Sequence, residues 1–427
     1  FENRLINMKY YHRKDCRLCG SNDLALSLEF TATPPADSYV QAKAVGADQE
    51  RIPLDLYCCN ECGHTQLGSV IDAEQVYLNY IYETASTLGL DSHFRACAQT
   101  VMANYMPNKG GLVVDIGSND GTLLDIAEQK GMEVCGVEPS DALKDAPFNI
   151  KQKTVNTFFG SIESDRFFQK TEVKFDVITA ISMFYDVAEP LKFIEKARDL
   201  LTPDGLMLIE VNYAKSFFER QNVDMLGQEH LIYYFIETFD DLISKANLFI
   251  NDAYLTDMNG GNITFTISRM DKKSRKYLSL ANEEKSWMET FNFESFEEIV
   301  RKGFYKFKEK VISLSESNTI KVLGASTRGA LIIQMLKLDS NVITSAVDLQ
   351  QNKVGRRIPG TDIAIEFDGE HDVPDYYLVM PYQFRTEIIK RYLNYMKSGG
   401  GLLFYRPQQE IITYDNETNK IEYTPII

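Results

Sequence analysis

The chain has no apolar run long enough to cross a bilayer, and no secretory signal pattern opens it, so a cytoplasmic setting away from membranes is expected. It also lacks basic excess. With 45 Lys and Arg against 61 Asp and Glu, a formal net charge of −16, there is no electrostatic footprint for gripping a phosphate backbone. Nucleic acid is therefore not an expected partner, and a small molecule is. Histidine is sparse, at five residues, so each one near other proton-handling groups is worth weighing. What is plentiful is length and apolar content: 427 residues with 44% hydrophobic side chains support about two or three packed domains.

Seven cysteines are an odd number, and four of them fall in two close pairs, "CRLC" at Cys16 and Cys19 and "CNEC" at Cys59 and Cys62. In a reducing compartment such pairs point to metal rather than disulfides. Each pair is followed by a glycine, Gly20 or Gly63, which permits a tight turn around an ion. Four thiolates suit tetrahedral structural Zn2+, and the strand-to-helix setting of redox-active thiols is missing from "YCCNECGH". Cys58, Cys97 and Cys135 are left unligated by this reading.

A helical stretch over about 73–106 is followed by "GGLVVDIGSNDGTLLDIAEQKGMEVCGVEPS" at 110–140. An apolar strand runs into Asp115, a glycine turn spans Gly117 to Gly121, a helix follows, and a second strand ends at Glu138. This is the opening of a nucleotide-binding α/β domain, in which a strand-end carboxylate can take both ribose hydroxyls. The turn reads G-S-N-D-G instead of G-x-G-x-x-G. Asp115 and Asp120 would repel a pyrophosphate, but they suit a cationic ligand bearing an amino-acid group. The charges favour S-adenosylmethionine (SAM) over NAD, with Asp115, Gly117, Ser118, Asn119, Asp120, Gly121, Glu138 and Pro139 as the candidate cofactor site. The alternation continues through "KFDVITAISMFYDVAEPLKFIEKARDLLTPDGLMLIEVN", with a loop at Tyr185 and Asp186 and a P-D-G turn before the next strand.

"GQEHLIYY" at 227–234 sets Glu229 and His230 just ahead of Tyr233 and Tyr234. Taken alone, this is either a reaction centre or the polar end of a buried strand. Further on, "VLGASTRGALIIQ" repeats a strand, glycine turn and helix. Ser326, Thr327 and Arg328 there can meet an anion at a helix N-terminus, or Gly324 and Gly329 can serve packing alone. The charge-rich segment 271–314 reads as a solvated helical connector.

In order, the cysteine pairs, the D-I-G-S-N-D-G turn, the E-H pair, "MNGGNITFTISR" and "VLGASTRGALIIQ" resemble the three-domain SAM-dependent sugar C-methyltransferases. Those enzymes methylate carbon 3 of nucleotide-linked 4-keto-deoxysugars. The resemblance implies an α/β protein with a zinc-binding domain at 9–70, a class I methyltransferase Rossmann-like domain at 71–268, a helical connector at 269–314 and a C-terminal Rossmann-like substrate-binding domain at 315–427. It makes His230 the expected base and Glu229 the group that holds its tautomer. Tyr185, Tyr233 or a tyrosine of "NYIYETAS", Tyr80 or Tyr82, would donate to the developing oxyanion, and Tyr82 and Glu83 fall where the family places active-site groups. Asn259, Gly260 and Gly261, with Ser326, Thr327 and Arg328, would face the substrate. The chain departs from the family pattern at Gly227, Tyr185 and Asn259. Methylation of another phosphorylated or carbonyl metabolite, or SAM binding without turnover, are the alternative readings. Neither the sugar nor the oligomeric state follows from the sequence.

Overall fold

The computed structural model describes residues 9–42, 49–77, 93–99, 110–369 and 372–426; the side chains of Thr171 and Asn259 are also outside the description. Helical backbone occurs at Ala73–Tyr77 and over 93–99, and the rest of the helix expected over 73–106 lies outside the described residues, as do Tyr80, Tyr82 and Glu83. Among the described residues, no helix is long and apolar enough to cross a membrane.

The central sheet has seven strands. Taken in spatial order they are Thr154–Val155, Glu133–Val137, Leu112–Ile116, Phe175–Ile181, Leu201–Asn212, Asn262–Ser268 and Phe249–Thr256. The first five run parallel, and the last two pair antiparallel. Numbered in chain order this is 3-2-1-4-5-7-6, the class I methyltransferase fold. The order reverses beside Leu112–Ile116, and such a switch point opens a crevice at the carboxyl ends of the strands. Runs such as "LVVDI" and "FDVITAI" are apolar because helices cover both faces of a parallel sheet. The expected P-D-G turn is instead a bulge inside Leu201–Asn212: Phe175 pairs with Leu201 and Val177 with Leu206, so residues 202–205 loop out.

A second seven-stranded sheet forms the C-terminal part. It runs Ile365–Phe367, Ser345–Asp348, Ile320–Leu323, Tyr376–Val379, Gly401–Phe404, Glu410–Asp415 and Lys420–Pro425, parallel over the first five strands. This is a second Rossmann-like layer, finished by an antiparallel hairpin.

The N-terminal part joins the other two. Its strands Leu24–Leu28, Leu56–Cys59 and Thr65–Leu67 form an antiparallel sheet, and the fourth strand is Ile232–Tyr233, donated from the end of "GQEHLIYY". On the other side Val40–Gln41 pairs with Arg356–Arg357, and the Tyr39 hydroxyl donates to the Ala325 carbonyl at 2.7 Å.

The segment expected to be a solvated connector is helical at Arg275–Met288 and Phe293–Ser315, but it is not merely solvated. Phe307 and Val311 are fully buried in the core shared with the C-terminal sheet. The Glu284 carboxylate accepts from the Ile236 and Glu237 amides at 2.9 and 3.2 Å, capping the helix Ile236–Lys245. The correction has a simple cause. The charges of this segment lie on one helical face, and overall composition hides the apolar stripe opposite.

Candidate active site

Leu112–Ile116 delivers Asp115 to the crevice, and the chain then turns sharply into the helix Thr122–Gln129. Gly117 and Gly121 have φ of 78° and 76°, a left-handed conformation that side chains resist. A Cβ on Gly117 would lie 2.9 Å from Met183 Cγ, and one on Gly121 2.6 Å from Ile150 Cγ2. Asp120 closes the turn, its Oδ1 accepting from the Thr122 amide at 3.1 Å and hydroxyl at 2.6 Å. Glu138, at the end of the next strand, takes the Asn119 amide on Oε2 at 2.7 Å and the Ser140 amide on Oε1 at 2.8 Å. Thr179 donates to Asp115 Oδ1 at 2.6 Å. Burial raises the Asp115 carboxyl to about 7 against the pull of that bond, and nearby Glu138 adds to the rise.

These groups wall a cavity of about 450 Å³, within the range of small-molecule sites. Asp115, Gly117, Ser118, Asn119, Asp120, Glu138 and Pro139 line it, with Phe158, Ile181 and Met183 as apolar wall. Gly121 sets the start of the helix from just behind the wall. The donor set fits a SAM-sized cofactor on three observations. Among the described residues each Glu138 oxygen has one protein partner and a lone pair to spare and the Ser118 hydroxyl is buried with no partner, and a Cβ at Gly117 would press on Met183 of the cavity wall.

The opposite wall comes from the "GQEH" turn, closed by the His230 amide on the Gly227 carbonyl at 3.0 Å. Gln228 and Glu229 line the cavity. Gln228 is pinned by bonds to the Thr33 carbonyl and hydroxyl at 2.9 and 2.8 Å, while its Oε1 has no partner among the described residues. His230 is not among the residues that line the cavity; it follows Glu229 in the turn and lies edge-on to the Tyr185 ring at 4.8 Å between centroids. Its Nδ1 lies 2.7 Å from the Met225 carbonyl, which can only accept, so Nδ1 carries the proton and Nε2 is the basic nitrogen. The carbonyl of Met225, not Glu229, therefore holds the tautomer, because the turn folds the carboxylate back over Gly227. A Cβ at 227 would lie 2.8 Å from both Glu229 oxygens.

Tyr185 and Tyr233 do not reach the cavity wall among the described residues. Tyr233 is fully buried, and its hydroxyl donates to the same Met225 carbonyl at 3.3 Å. The wall carries Asp186 instead, with one buried carboxylate oxygen, Oδ1, that has no hydrogen-bond partner among the described residues. Sequence reasoning stopped one residue short of it. The available signal was position: like Asp115 and Glu138, it lies near the carboxyl end of a parallel strand. Behind Ser182, also on the wall, Glu210 accepts from Ser182 Oγ at 2.9 Å, Asn262 Nδ2 at 3.0 Å and Thr264 Oγ1 at 3.0 Å, and pairs with His93 at 3.0 Å.

The four cysteines of the two pairs converge. Their sulfurs all lie within 4.8 Å of one another, with Cys16 to Cys62 at 3.6 Å and Cys19 to Cys59 at 3.5 Å. A tetrahedral ion with bonds of about 2.3 Å has sulfur-to-sulfur edges of about 3.8 Å, so the geometry suits zinc. Burial raises the Cys16 thiol to about 11, a proton that a metal would displace.

The residues expected to meet the acceptor's anionic tail lie elsewhere and are engaged within the protein. Ser326 caps its helix through the Gly329 amide at 3.1 Å, Thr327 donates to Asp37 Oδ1 at 2.6 Å, and Arg328 Nε donates to the buried Asp224 at 2.7 Å. The pattern that suggested free donors also describes a capped turn at a domain junction. Gly260 and Gly261, with φ of 88° and 125°, pack against Asn222 and Ser216. The Asn259 side chain is outside the described residues.

Three family models match in series: a zinc binding domain over residues 16–77, a methyltransferase domain over 91–251 and a C-methyltransferase C-terminal domain over 257–407. The C-methyltransferase NovU of Streptomyces niveus is 24% identical over 413 residues, covering 94% of this chain and 97% of NovU. The ubiquinone biosynthesis O-methyltransferase of Histophilus somni (strain 2336) is 29% identical over 125 residues, 28% of this chain and 52% of that protein. Among solved structures, the magnesium protoporphyrin IX methyltransferase of Synechocystis PCC 6803 with bound SAH aligns at a TM-score of 0.33 and 14% identity, covering 42% of this chain and 84% of that one.

Proposed function

The chain belongs to the SAM-dependent C-methyltransferases built from a zinc-binding domain, a methyltransferase domain and a C-terminal domain, and on that premise we propose that its acceptor is a nucleotide-linked keto-deoxysugar. The reading is supported by the order of motifs along the chain and by the chemistry a carbon acceptor demands. Carbon next to a ketone has no lone pair and must lose a proton before it can take a methyl group. Bound SAM supplies that methyl group as an electrophile on a sulfonium.

The chain's own residues do the rest. Glu138 holds the ribose hydroxyls, Asp115 faces the cofactor's ammonium group, and the amides of the 117–121 turn let the backbone approach closely. His230 takes the proton from the acceptor carbon through Nε2, and Glu229 on the cavity wall orients the sugar. The observation that carries this assignment is the bond from Nδ1 to the Met225 carbonyl, which fixes the basic nitrogen before the acceptor arrives. The N-terminal sheet serves the same end, since its strand Thr65–Leu67 holds Ile232–Tyr233, the continuation of the E-H turn.

The test is hydrogen exchange in heavy water with S-adenosylhomocysteine and a panel of keto sugars, read by mass spectrometry. Wild type exchanges the proton next to the ketone, and His230→Asn loses exchange and about 10²–10⁴-fold in turnover while SAM affinity holds. Exchange kept in His230→Asn and lost in Glu229→Gln would transfer the role of base to Glu229. Methylation confined to acceptors without a sugar would overturn the substrate assignment.

A further inference from the structure

Base removal of a proton next to a carbonyl places negative charge on the carbonyl oxygen, and that charge needs a donor. Of the tyrosines expected to supply it, Tyr185 and Tyr233 are packed away from the cavity, and Tyr80 and Tyr82 lie outside the described residues. Among the described residues the wall carries Tyr11, Tyr77 and, past the end of the strand Phe175–Ile181, a carboxyl. Asp186 ends the short helix Phe184–Asp186 at the rim of the parallel sheet, on the same cavity as Glu229 and Asp115.

Its setting is rigid. Phe184 is fully buried and stacked on Tyr234 at 5.6 Å, and Tyr185 is held edge-on to His230, so the residues leading into Asp186 are clamped on both sides. Among the described residues its setting also lacks a counter-charge. The groups that face it are Glu229 and Tyr77 across the cavity, and the hydroxyls of Tyr233 and Tyr234 from the strand beneath. Arg13 does reach this loop, but it is paired with Asp15 and Glu189 and bonded to the Ala188 carbonyl. Burial and then the Glu229 charge push the Asp186 carboxyl well above its ordinary value, against a Tyr77 hydrogen bond that lowers it. A buried carboxyl without a cation keeps its proton, and a neutral carboxylic acid is a hydrogen-bond donor as well as an acceptor. Asp186 lines the cavity and is only partly covered as a residue, while its Oδ1 is enclosed and has no partner among the described residues, so the carboxyl can present its proton to a group bound there.

We propose that Asp186 is a catalytic residue of the acceptor site, presenting a carboxylic-acid O–H to the oxygen of the acceptor's carbonyl. The inference rests on the reading of the acceptor as a ketone. As the base takes the proton from carbon, the C–H electron pair forms the C=C bond and the carbonyl π pair moves to oxygen. The Asp186 O–H bond stays intact while its hydrogen bond to that oxygen shortens. When the carbon takes the methyl group the carbonyl re-forms, the acid is unchanged, and the abstracted proton leaves through the base. Asp186 is thus a stationary donor, of the kind that stabilises an oxyanion most when fixed in a dry site.

Two variants and two readouts test this. Asp186→Asn keeps the size and an N–H donor, whereas Asp186→Leu keeps the bulk and removes the donor. Infrared difference spectra of wild type against Asp186→Asn, taken on the protein with S-adenosylhomocysteine alone, report whether a protonated carboxyl is present at neutral pH. The expected result is a protonated-carboxyl band in wild type. In turnover, Asp186→Leu loses about 10²–10³-fold in kcat with SAM affinity unchanged, and Asp186→Asn recovers part of it. The alkaline decline that wild type shows on losing this proton disappears in Asp186→Asn. An ionised Asp186 in the infrared, or full kcat in Asp186→Leu, overturns the proposal. The infrared readout decides it even where wild type methylates no keto sugar, an outcome that would sink the substrate assignment instead.

Discussion

Glu138 offers the sharpest measurement of how this chain grips its cofactor. Its two oxygens already hold the Asn119 amide at 2.7 Å and the Ser140 amide at 2.8 Å. Glu138→Gln replaces one acceptor with an NH2 group facing a backbone N–H, so the free protein loses about 1–3 kcal/mol and melts earlier. That loss obscures any simple comparison of affinities. A cycle removes it: wild type and Glu138→Gln are each titrated calorimetrically with S-adenosylhomocysteine and with analogues lacking one ribose hydroxyl. The strain on the turn is common to both ligands in the variant and cancels. What remains is the coupling between carboxylate and hydroxyl, expected at about 1–3 kcal/mol for a charged hydrogen bond, or roughly 5- to 150-fold in affinity. If the two deletions add with no coupling at either hydroxyl, Glu138 serves only to tie its own turn, and the ribose assignment is wrong.

Two further outcomes follow from the geometry. Fresh reduced protein should carry one zinc per chain by elemental analysis; Cys59→Ala should lose it and Cys135→Ala should not, while stripping the metal should cost turnover more than SAM affinity because the N-terminal sheet carries the E-H turn. Asp115, raised to about 7 in the free chain, should be drawn down by the cofactor's ammonium group, so SAM affinity rises with pH up to about 7 and then levels. Calorimetry near pH 6 in buffers of different ionisation enthalpy should then show release of up to about one proton on binding, and Asp115→Asn should release none.

The methyltransferase core was legible because its signals are local. Asp115, the glycine turn and Glu138 lie within one strand, turn and helix unit, and the cysteine pairs announce themselves by spacing. Local reading failed where partners come from far along the chain. The His230 tautomer depends on a carbonyl five residues away whose direction only the folded turn fixes. Thr327 and Arg328 look like free donors until Asp37 and Asp224 arrive from other layers. Tyr185 and Asp186 are neighbours, and choosing between them required knowing which way the short helix Phe184–Asp186 rotates its side chains. The connector's buried face was missed for the same reason, since net charge averages over a surface that is half dry.

The strand Ile232–Tyr233 also limits how such an enzyme can be re-engineered. Adjacent side chains on extended backbone point to opposite sides, and here Tyr233 enters the core shared with the C-terminal sheet while Tyr234 enters the core of the methyltransferase sheet. Adding or deleting one residue inside this strand would send each ring toward the wrong core. The exchangeable cassette is therefore narrow. Residues 227–231, between the anchor at Met225 and the first paired position at Ile232, can be exchanged at constant length only with Gln228 kept for its bonds to Thr33, whereas a longer transplant must bring its own zinc module with it.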